Sequence, residues 1–431
     1  MNVIIKYRLL PLLLLLPAIF TGCKKETIPK HNSGVPIVIE KFSPVKGGVG
    51  TEVLVYGDNF NNDTTGVRVT VNGVKAAVTG VVQNRLVFMV PDGAGSGKIT
   101  ITIGGNTVTS TEDFNYVAAQ YVSTLAGSGQ EGFRDGEGAA AMFAFQLGQS
   151  IATDAAGNVY VCDAGNSRIR KITPAGVVST VAGNGTGGWQ DGPAASAMFN
   201  HPYGIEVDKD NNLYVADTWN AALRKITPEG VVSTLAWIGD ITDVVVDKRN
   251  GDIYASQFGP GTIVKVNGDG STVTVGSGFQ QLGAIAMDSK GNFYGVDNSR
   301  SFIGKVDAAT KNMTIIAGVS GQTGLEDGPG NTAKFDRPWG IDIDKEDNLY
   351  IAGNGGPNYG GGDNNTNHCI RFIKAGTWEV STFAGGSSKG YNDGLGSLAV
   401  FRSPTGVALD AAGAVYVLDE GNQRIRKIIS R

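Results

Sequence analysis

The sequence contains few of the residues on which most metal sites and covalent chemistry depend. Of its 431 residues, three are histidine, three are cysteine, and 18% are charged. His31 lies in a polar segment near the N-terminus, and the two remaining histidines cannot form the three-histidine site of a catalytic zinc ion. Cys162 and Cys369 stand alone and far apart, so the sequence predicts no disulfide framework.

The sequence also lacks an amphipathic pattern long enough for three helical turns. Glycine is abundant instead, with 63 residues, and Val, Ile and Thr occur in short runs. That composition is typical of many short β-strands joined by tight turns. No basic block is present, and the formal net charge of −4 argues against a nucleic-acid partner.

The N-terminus has the composition of a targeting segment. Lys6 and Arg8 precede the apolar run "LLPLLLLLPAIF", which is too short to span a bilayer comfortably. The run ends in "FTGC", which resembles the lipobox of bacterial lipoproteins, although Phe20 replaces the usual aliphatic residue. The resemblance implies removal of residues 1–22 as a lipoprotein signal peptide and lipidation of Cys23. The chain would then be held at a membrane by its lipid alone.

Two modules follow a short tether. Residues 23–34 are polar and contain Pro and Gly, so we expect a flexible tether. Residues 35–117 alternate apolar and polar positions between turn signals, which predicts an immunoglobulin-like β-sandwich. The segments "FSPVKGGVGTEVLVYGDNF", "VTVNGVKA" and "LVFMVPDGAGSGKITITIGG" resemble an IPT/TIG domain. The resemblance implies a spacer or interaction module without catalysis.

One pattern recurs six times between residues 118 and 431. A first strand ends in Asp, and a turn, a second strand and a third strand follow. A fourth strand follows only five of the third strands, and the missing copy lies upstream at residues 121–127, "YVSTLAG". A closed ring explains this offset, because the N-terminal strand then completes the last blade and removes the open sheet edges.

The repeat "P-x-G-I-x-V-D…N-x-L-Y-V-A-D…N-x-R-I-x-K-I" resembles NHL repeats. The predicted fold is therefore all-β, with an Ig-like sandwich followed by a six-bladed NHL-type β-propeller that residues 121–127 close. The resemblance implies binding of proteins, nucleic acids or small molecules in most members, and catalysis in a minority.

A glycine-rich stretch recurs in the connections that precede blades 1, 2, 5 and 6. Its copies are "GFRDGEGAAAMFAFQLG", "GGWQDGPAASAMFNHPYG", "GLEDGPGNTAKFDRPWG" and "GYNDGLGSLAVFRSPTG". Each copy has Asp-Gly, and a Phe follows eight residues after the Asp. Asp-Gly is turn chemistry, and an aromatic residue at a fixed offset is typical of a packing anchor. We therefore expect the repeated residues to be structural.

The residues that vary between copies, together with neighbouring loop residues on the same face, are the candidates for recognition. Flat aromatic rings stack on sugar rings, and polar side chains bind the hydroxyl groups. The candidate ligand-binding residues are Trp189, His201, Tyr203, Trp219, Arg337, Trp339 and Tyr359. The alternative for Trp219 and Trp339 is packing between blades.

Three carboxylates are expected near the central channel. Glu206, Asp243 and Asp342 lie two or four positions before the Asp that ends their first strands. Oxygen ligands of this kind suit calcium, which is the cofactor that these residues suggest. The alternative is that the carboxylates are solvated acids in a wet channel.

These patterns predict a cell-envelope lipoprotein. The resemblance of the whole architecture to bacterial cell-envelope lipoproteins implies an outer-membrane location. The leading functional hypothesis is a non-catalytic binding module whose propeller face captures a glycan or a partner protein. One alternative is a calcium-dependent hydrolase or lactonase that uses the acidic channel. The other is a structural scaffold.

Overall fold

A computed structural model describes residues 30–146, 148–353 and 367–431. The chain divides into two units, one ending at Val117 and the other beginning at Ala118. In the described residues, no helix is long and apolar enough to cross a membrane. The predicted lipidation site Cys23 and the candidate residue Tyr359 lie outside the described residues.

The first unit is the predicted Ig-like β-sandwich. Val74–Val82 pairs with Val67–Val71 through its first residues and with Arg85–Met89 from Ala77 onward, so one strand joins both sheets. Alternate residues of the strands point inward, and the core includes Phe42, Phe88 and Phe114. Its strands are Val38–Ser43, Lys46–Gly47, Glu52–Asp58, Val67–Val71, Val74–Val82, Arg85–Met89, Gly97–Ile103 and Asn106–Tyr116.

The second unit is a six-bladed β-propeller, as predicted, with antiparallel strands in each blade. The first strands, nearest the channel, are Ile151–Thr153, Pro202–Val207, Ile241–Val246, Leu282–Met287, Ile341–Ile343 and Pro404–Leu409. The second strands are Val159–Asp163, Leu213–Asp217, Ile253–Gln257, Phe293–Asp297, Leu349–Ala352 and Val415–Asp419. The third strands are Arg168–Ile172, Ala222–Ile226, Thr262–Val266, Phe302–Val306, His368–Ile373 and Arg424–Ser430.

The outer strand of blade 6 comes from the beginning of the propeller sequence, which confirms the predicted closure. Gln120–Ala126 pairs with Arg424–Ser430, and the backbones of Ala119 and Arg431 exchange two hydrogen bonds of 2.9 and 3.0 Å. The outer strands of blades 1 to 5 are Val177–Ala182, Val231–Trp237, Thr272–Gly276, Met313–Ala317 and Glu379–Gly386. Short 3-10 helices lie at Gly138–Ala140, Ala164–Asn166, Thr218–Asn220 and Glu420–Asn422.

The Asp that ends each first strand caps the following turn. In blade 1, Asp154 accepts the N–H groups of Ala156 and Asn158 at 3.0 and 2.9 Å, and Tyr160 donates its hydroxyl at 3.0 Å. The same arrangement recurs around Asp208 and Asp288. This local bonding explains why Asp, Asn and Tyr recur at fixed spacing in the repeat.

The recurring glycine-rich stretch covers the outer edge of a blade. In blades 1, 2, 5 and 6 it forms a short fifth strand against the outer strand, at Gly136–Glu137, Gly192–Pro193, Gly328–Pro329 and Gly394–Leu395. Beyond this short strand, the Asp carboxylate of the stretch accepts the next outward N–H of the outer strand. Asp191, for example, accepts the backbone N–H of Thr234 at 3.0 Å and its hydroxyl at 3.1 Å.

A buried arginine fixes this stretch to the blade. Arg224 of the third strand in blade 2 has no exposed side-chain surface, and its guanidinium donates to Asp191 at 2.6 Å and to Asp217 at 2.7 Å. It also donates to the carbonyls of Gln190 and Met198 at 2.9 and 3.0 Å. Within the described chain, fully buried arginines that bind the stretch in this way are Arg170, Arg224, Arg371 and Arg426.

The same arginine explains why the Phe has a constant spacing from the Asp in every copy of the stretch. In blade 2 the guanidinium carbon of Arg224 lies 5.0 Å from the ring centre of Phe199, a cation–π distance. Blades 3 and 4 carry Val264 and Gly304 at the position of the arginine, and there the described sheets have four strands each. The stretch and the arginine therefore occur together, which confirms a structural role for the repeated residues.

Removing the arginine should destabilise the propeller. Arg224→Met leaves the buried Asp217 carboxylate without its cation, so we expect the free energy of unfolding to fall by about 3–5 kcal/mol. Lys225→Met, on the same strand but partly exposed, should change it by less than about 1 kcal/mol. Urea unfolding of both variants tests this, and equal effects would contradict the assigned role.

Candidate functional site

One face of the propeller combines the loops between second and third strands with the connections that enter the first strands. In blade 2 these two segments are bonded to each other. The N–H of Asn200 donates to Asp217 at 2.8 Å, and the N–H of Trp219 donates to the carbonyl of Asn200 at 3.1 Å. Side chains of the connection and of the loop therefore lie side by side.

His201 and Trp219, both predicted from sequence, are in contact there. Their rings are stacked, with centroids 3.6 Å apart and an interplanar angle of 15°. Burial lowers the pKa of His201, so its imidazole is neutral near pH 7 and stacks as an uncharged ring. Trp219 nevertheless keeps 54% of its surface exposed, which leaves much of the indole accessible to a ligand.

Trp189 also lies on blade 2, where it contacts a tryptophan that the sequence analysis missed. The rings of Trp189 and Trp237 are 5.4 Å apart at 48°, and the Trp189 indole N–H donates to the Thr234 hydroxyl at 3.0 Å. The two residues are 50% and 60% exposed. We call Trp189, Trp219 and Trp237 the blade 2 tryptophan surface.

The other blades show that the fold does not require these tryptophans. Trp237 is the last residue of the outer strand in blade 2, whereas the corresponding residues are Gly127, Gly183, Gly318 and Gly385 in blades 6, 1, 4 and 5, and Ser277 in blade 3. Trp219 likewise corresponds to Gly165 and Gly421. Comparison between repeats was the signal that could have identified Trp237 from sequence.

The position of Trp189 has a structural use in the sister blades. Phe133 and Tyr391 occupy it in blades 1 and 6. Their ring centres lie 3.8 and 3.9 Å from the guanidinium carbons of Arg168 and Arg424. Blade 2 has Ala222 in place of those arginines, and Ala222 faces Trp237 across the sheet. The aromatic ring in blade 2 therefore meets another aromatic ring instead of a cation.

Tyr203 is not part of the exposed surface. It lies in the first strand of blade 2 and is buried, and its carbonyl accepts the N–H of Ser150 at 2.7 Å. Tyr203 therefore lies buried where two inner strands meet, although the sequence predicts it as a ligand-binding residue together with His201.

Trp339 and Arg337 lie on blade 5, away from the blade 2 tryptophan surface. The indole of Trp339 packs directly against Gly148, where any side chain would collide with it, and its ring centroid lies 5.6 Å from that of Phe258 in blade 3. Trp339 thus contacts residues from two other blades, consistent with the packing alternative. Arg337 is exposed, and its carbonyl accepts a 3.4 Å bond from the Asn298 amide.

The three predicted channel carboxylates lie among the inner strands. Asp342 accepts the N–H of Leu409 at 2.7 Å, and Asp243 accepts the N–H of Ile285 at 3.0 Å. Both bonds satisfy edge N–H groups of a neighbouring blade. Glu206 accepts the N–H of Val207 at 2.9 Å. Each carboxylate thus accepts an N–H of an inner strand.

Burial raises the pKa of these carboxyls, to about 7 at Glu206, about 8 at Asp243 and about 6 at Asp342. Within residues 30–146, 148–353 and 367–431, no group of three or more His, Cys, Asp or Glu side chains is arranged to hold a metal ion. The geometry therefore gives the calcium expectation no support.

Comparison with known families identifies the modules. Residues 36–116 match the IPT/TIG domain, and residues 401–428 match the NHL repeat. The chain thus contains an IPT/TIG domain and a six-bladed propeller that carries an NHL repeat. A curated relative, Protein SUPPRESSOR OF QUENCHING 1, chloroplastic, from Arabidopsis thaliana, is 27% identical over 292 residues, which are 58% of this chain and 27% of that protein.

Two solved structures are similar along nearly the whole chain. One is described as an auxiliary nutrient binding protein from Bacteroides thetaiotaomicron, with 24% identity, a TM-score of 0.59 and coverage of 93% of this chain and 99% of that chain. The other, described in the same words, is from Bacteroides ovatus, with 21% identity, a TM-score of 0.62 and coverage of 94% and 100%. At these identities, the likeness shows a shared fold.

The raised pKa values predict that the propeller becomes less stable as the pH rises. An unfolded carboxyl has a pKa near 4, so the folded state binds more protons than the unfolded state between about pH 4 and about pH 8. The contribution of these groups to the free energy of unfolding is complete below about pH 4 and is lost as the pH rises through the folded pKa values. Urea unfolding at constant salt, from about pH 5 to pH 8, measures the decline.

Asp243→Asn provides the control, because it keeps the shape of the side chain and removes its titration. The decline should become shallower but should not disappear, since Glu206 and Asp342 remain. Burial also raises the pKa of Asp419, beside Arg426, to about 6. A slope identical to that of the unmodified protein would contradict the role given to Asp243.

Proposed function

We propose that the protein is a non-catalytic binding protein whose blade 2 tryptophan surface captures a glycan. The observation that carries this proposal is the presence of the exposed residues Trp219 and Trp237 at positions where the other described blades have glycine or serine. Large exposed apolar side chains that lie together on a surface mark an interaction site. The fold does not need them, so recognition of a ligand is the use that we assign.

The chemistry of the surface favours sugars over a protein partner. Indole faces stack on the apolar faces of sugar rings, and polar neighbours bind the hydroxyls. Thr234 and the exposed Gln190 provide such neighbours beside Trp189. A stable protein interface buries about 800 Å² on each side around an apolar centre, whereas this surface consists of a few rings among polar residues.

The structural neighbours support a binding role. The two Bacteroides proteins with this fold are described as auxiliary nutrient binding proteins, and a glycan is a nutrient of suitable chemistry for exposed indoles. The hydrolase alternative would need a metal-holding channel, which the described carboxylates do not provide. Binding without catalysis therefore agrees with both observations.

We also propose that the protein is held at the cell envelope, at the outer membrane, by a lipid on Cys23. The lipobox-like "FTGC" and the Bacteroides origin of the structural neighbours support this location. The IPT/TIG domain would then act as a spacer that carries the propeller away from the membrane surface.

Replacing tryptophans of blade 2 should weaken glycan binding. In an array of plant, host and microbial polysaccharides, Trp219→Ala and Trp237→Ala should each reduce affinity by about tenfold or more, since aromatic anchors contribute at least about 1.4 kcal/mol each. Isothermal titration with the glycan that binds best measures the loss.

Phe133→Ala is the control, because it removes an exposed aromatic ring from blade 1. It should leave the affinity within about twofold. Trp339→Ala tests whether the candidate tryptophan of blade 5 binds the glycan instead. The proposal fails if no glycan binds, or if Trp339→Ala abolishes binding while both blade 2 variants bind normally.

Lipid anchoring is tested by Cys23→Ser. The unmodified protein should label with a fatty acid and sediment with the outer membrane, and the variant should do neither. Lys25→Ala, two residues away in the tether, should behave like the unmodified protein. An unlabelled wild-type chain, or a variant that still sediments with the membrane, would contradict the anchor.

A further inference from the structure

The outer sheet edges of blades 3 and 4 are exposed, whereas the corresponding edges of the other four blades are covered. In the other blades the outer strand pairs with the short strand of the recurring stretch. In blades 3 and 4, Thr272–Gly276 and Met313–Ala317 are the last strands of their sheets in the described part of the chain. Outer strands present a row of backbone donors and acceptors on their free side.

The covered blades show how such an edge is used. In blade 1, Val177 and Val178 pair antiparallel with Glu137 and Gly136, and the outward N–H of Thr180 donates to Asp135 at 3.2 Å. An extended polypeptide therefore occupies this edge. The same chain shows the geometry in which an occupant would bind to blades 3 and 4.

Register identifies the equivalent groups on the uncovered edges. Thr180 lies opposite Arg170 of the third strand in blade 1. By the same pairing, Thr274 lies opposite Val264 in blade 3, and Ile315 lies opposite Gly304 in blade 4. Thr274 and Ile315 therefore direct their N–H groups outward. No copy of the recurring stretch precedes either blade in the sequence.

The two edges also lack the usual protection against strand addition. Natural edge strands carry charges or proline, or are covered. The strands "TVTVG" and "MTIIA" contain neither charge nor proline. Val273 is 55% exposed and Ile315 is 46% exposed, so both edges present apolar side chains, on neighbouring blades.

We propose that the outer edges of blades 3 and 4 bind an extended segment of a partner polypeptide by antiparallel strand addition. Backbone hydrogen bonds would supply the affinity, and alternate apolar side chains of the segment would contact Val273 or Ile315. The buried arginine is replaced by Val264 or Gly304 in these blades, so the occupant needs no Asp. This surface is separate from the blade 2 tryptophan surface and does not depend on it.

The test uses the full chain and an array of peptides of about ten residues that alternate apolar and polar side chains. A peptide that binds should slow amide hydrogen exchange within Thr272–Gly276 or Met313–Ala317. Thr274→Pro and Ile315→Pro remove the outward N–H groups and should each weaken binding at that blade by about tenfold. Thr274→Val and Ile315→Val keep the N–H and should bind within about twofold.

Val273→Lys keeps the backbone intact and places a charge on the blade 3 edge, so it should also weaken binding there even if a proline variant folds poorly. The proposal is overturned if no peptide slows exchange in these strands, or if the proline and lysine variants bind normally. It is also overturned if the chain itself dimerises through these edges, which analytical ultracentrifugation would show as association that Thr274→Pro abolishes.

Discussion

In four of the six blades, the attachment of the covering stretch depends on an arginine buried within the blade. In blades 1, 2 and 6 this guanidinium binds the Asp of the covering stretch and the Asp at the end of the second strand, as in Arg426 with Asp393 and Asp419. A buried cation is costly unless it is paired, so the stretch lies where its carboxylate and carbonyls accept hydrogen bonds from the guanidinium. Blade 5 has Gly353 at the end of its second strand, and Arg371 there relies on Asp327 and two carbonyls.

Because several blades share this constraint, residues at equivalent positions can be compared between blades. Residues that satisfy the arginine recur because the fold requires them, and departures at equivalent positions need another explanation. The presence of Trp219 and Trp237 in blade 2, where the other described blades have glycine or serine, is such a departure. It is more informative than an exposed aromatic residue considered alone, because Phe133 and Tyr391 are also exposed and yet serve to stack on arginines.

The sequence was sufficient for the fold, because strand alternation, the count of fourth strands and the Asp-capped turns are local signals. It was less informative about the site. Tyr203 and Trp339 are candidate ligand-binding residues by sequence, but contacts with other blades decide which rings are exposed. The arginine was also visible, since "RIRK" or its equivalent accompanies the stretch. Its role was missed because the Asp that it binds in the stretch is 33 to 44 residues away, and only packing brings the two together.

The tryptophan surface and the uncovered edge of blade 3 have a common origin. Where a covering stretch follows an outer strand, it begins at a left-handed glycine such as Gly183, with φ of +103°, and a side chain there would collide with the carbonyl of Ser167. No stretch follows blade 2, so glycine is not required at the end of its outer strand and Trp237 is tolerated. A stretch in that connection would also have covered Thr272–Gly276. The short connection between blades 2 and 3 therefore permits Trp237 on blade 2 and leaves the outer strand of blade 3 uncovered, which places accessible recognition chemistry on neighbouring blades.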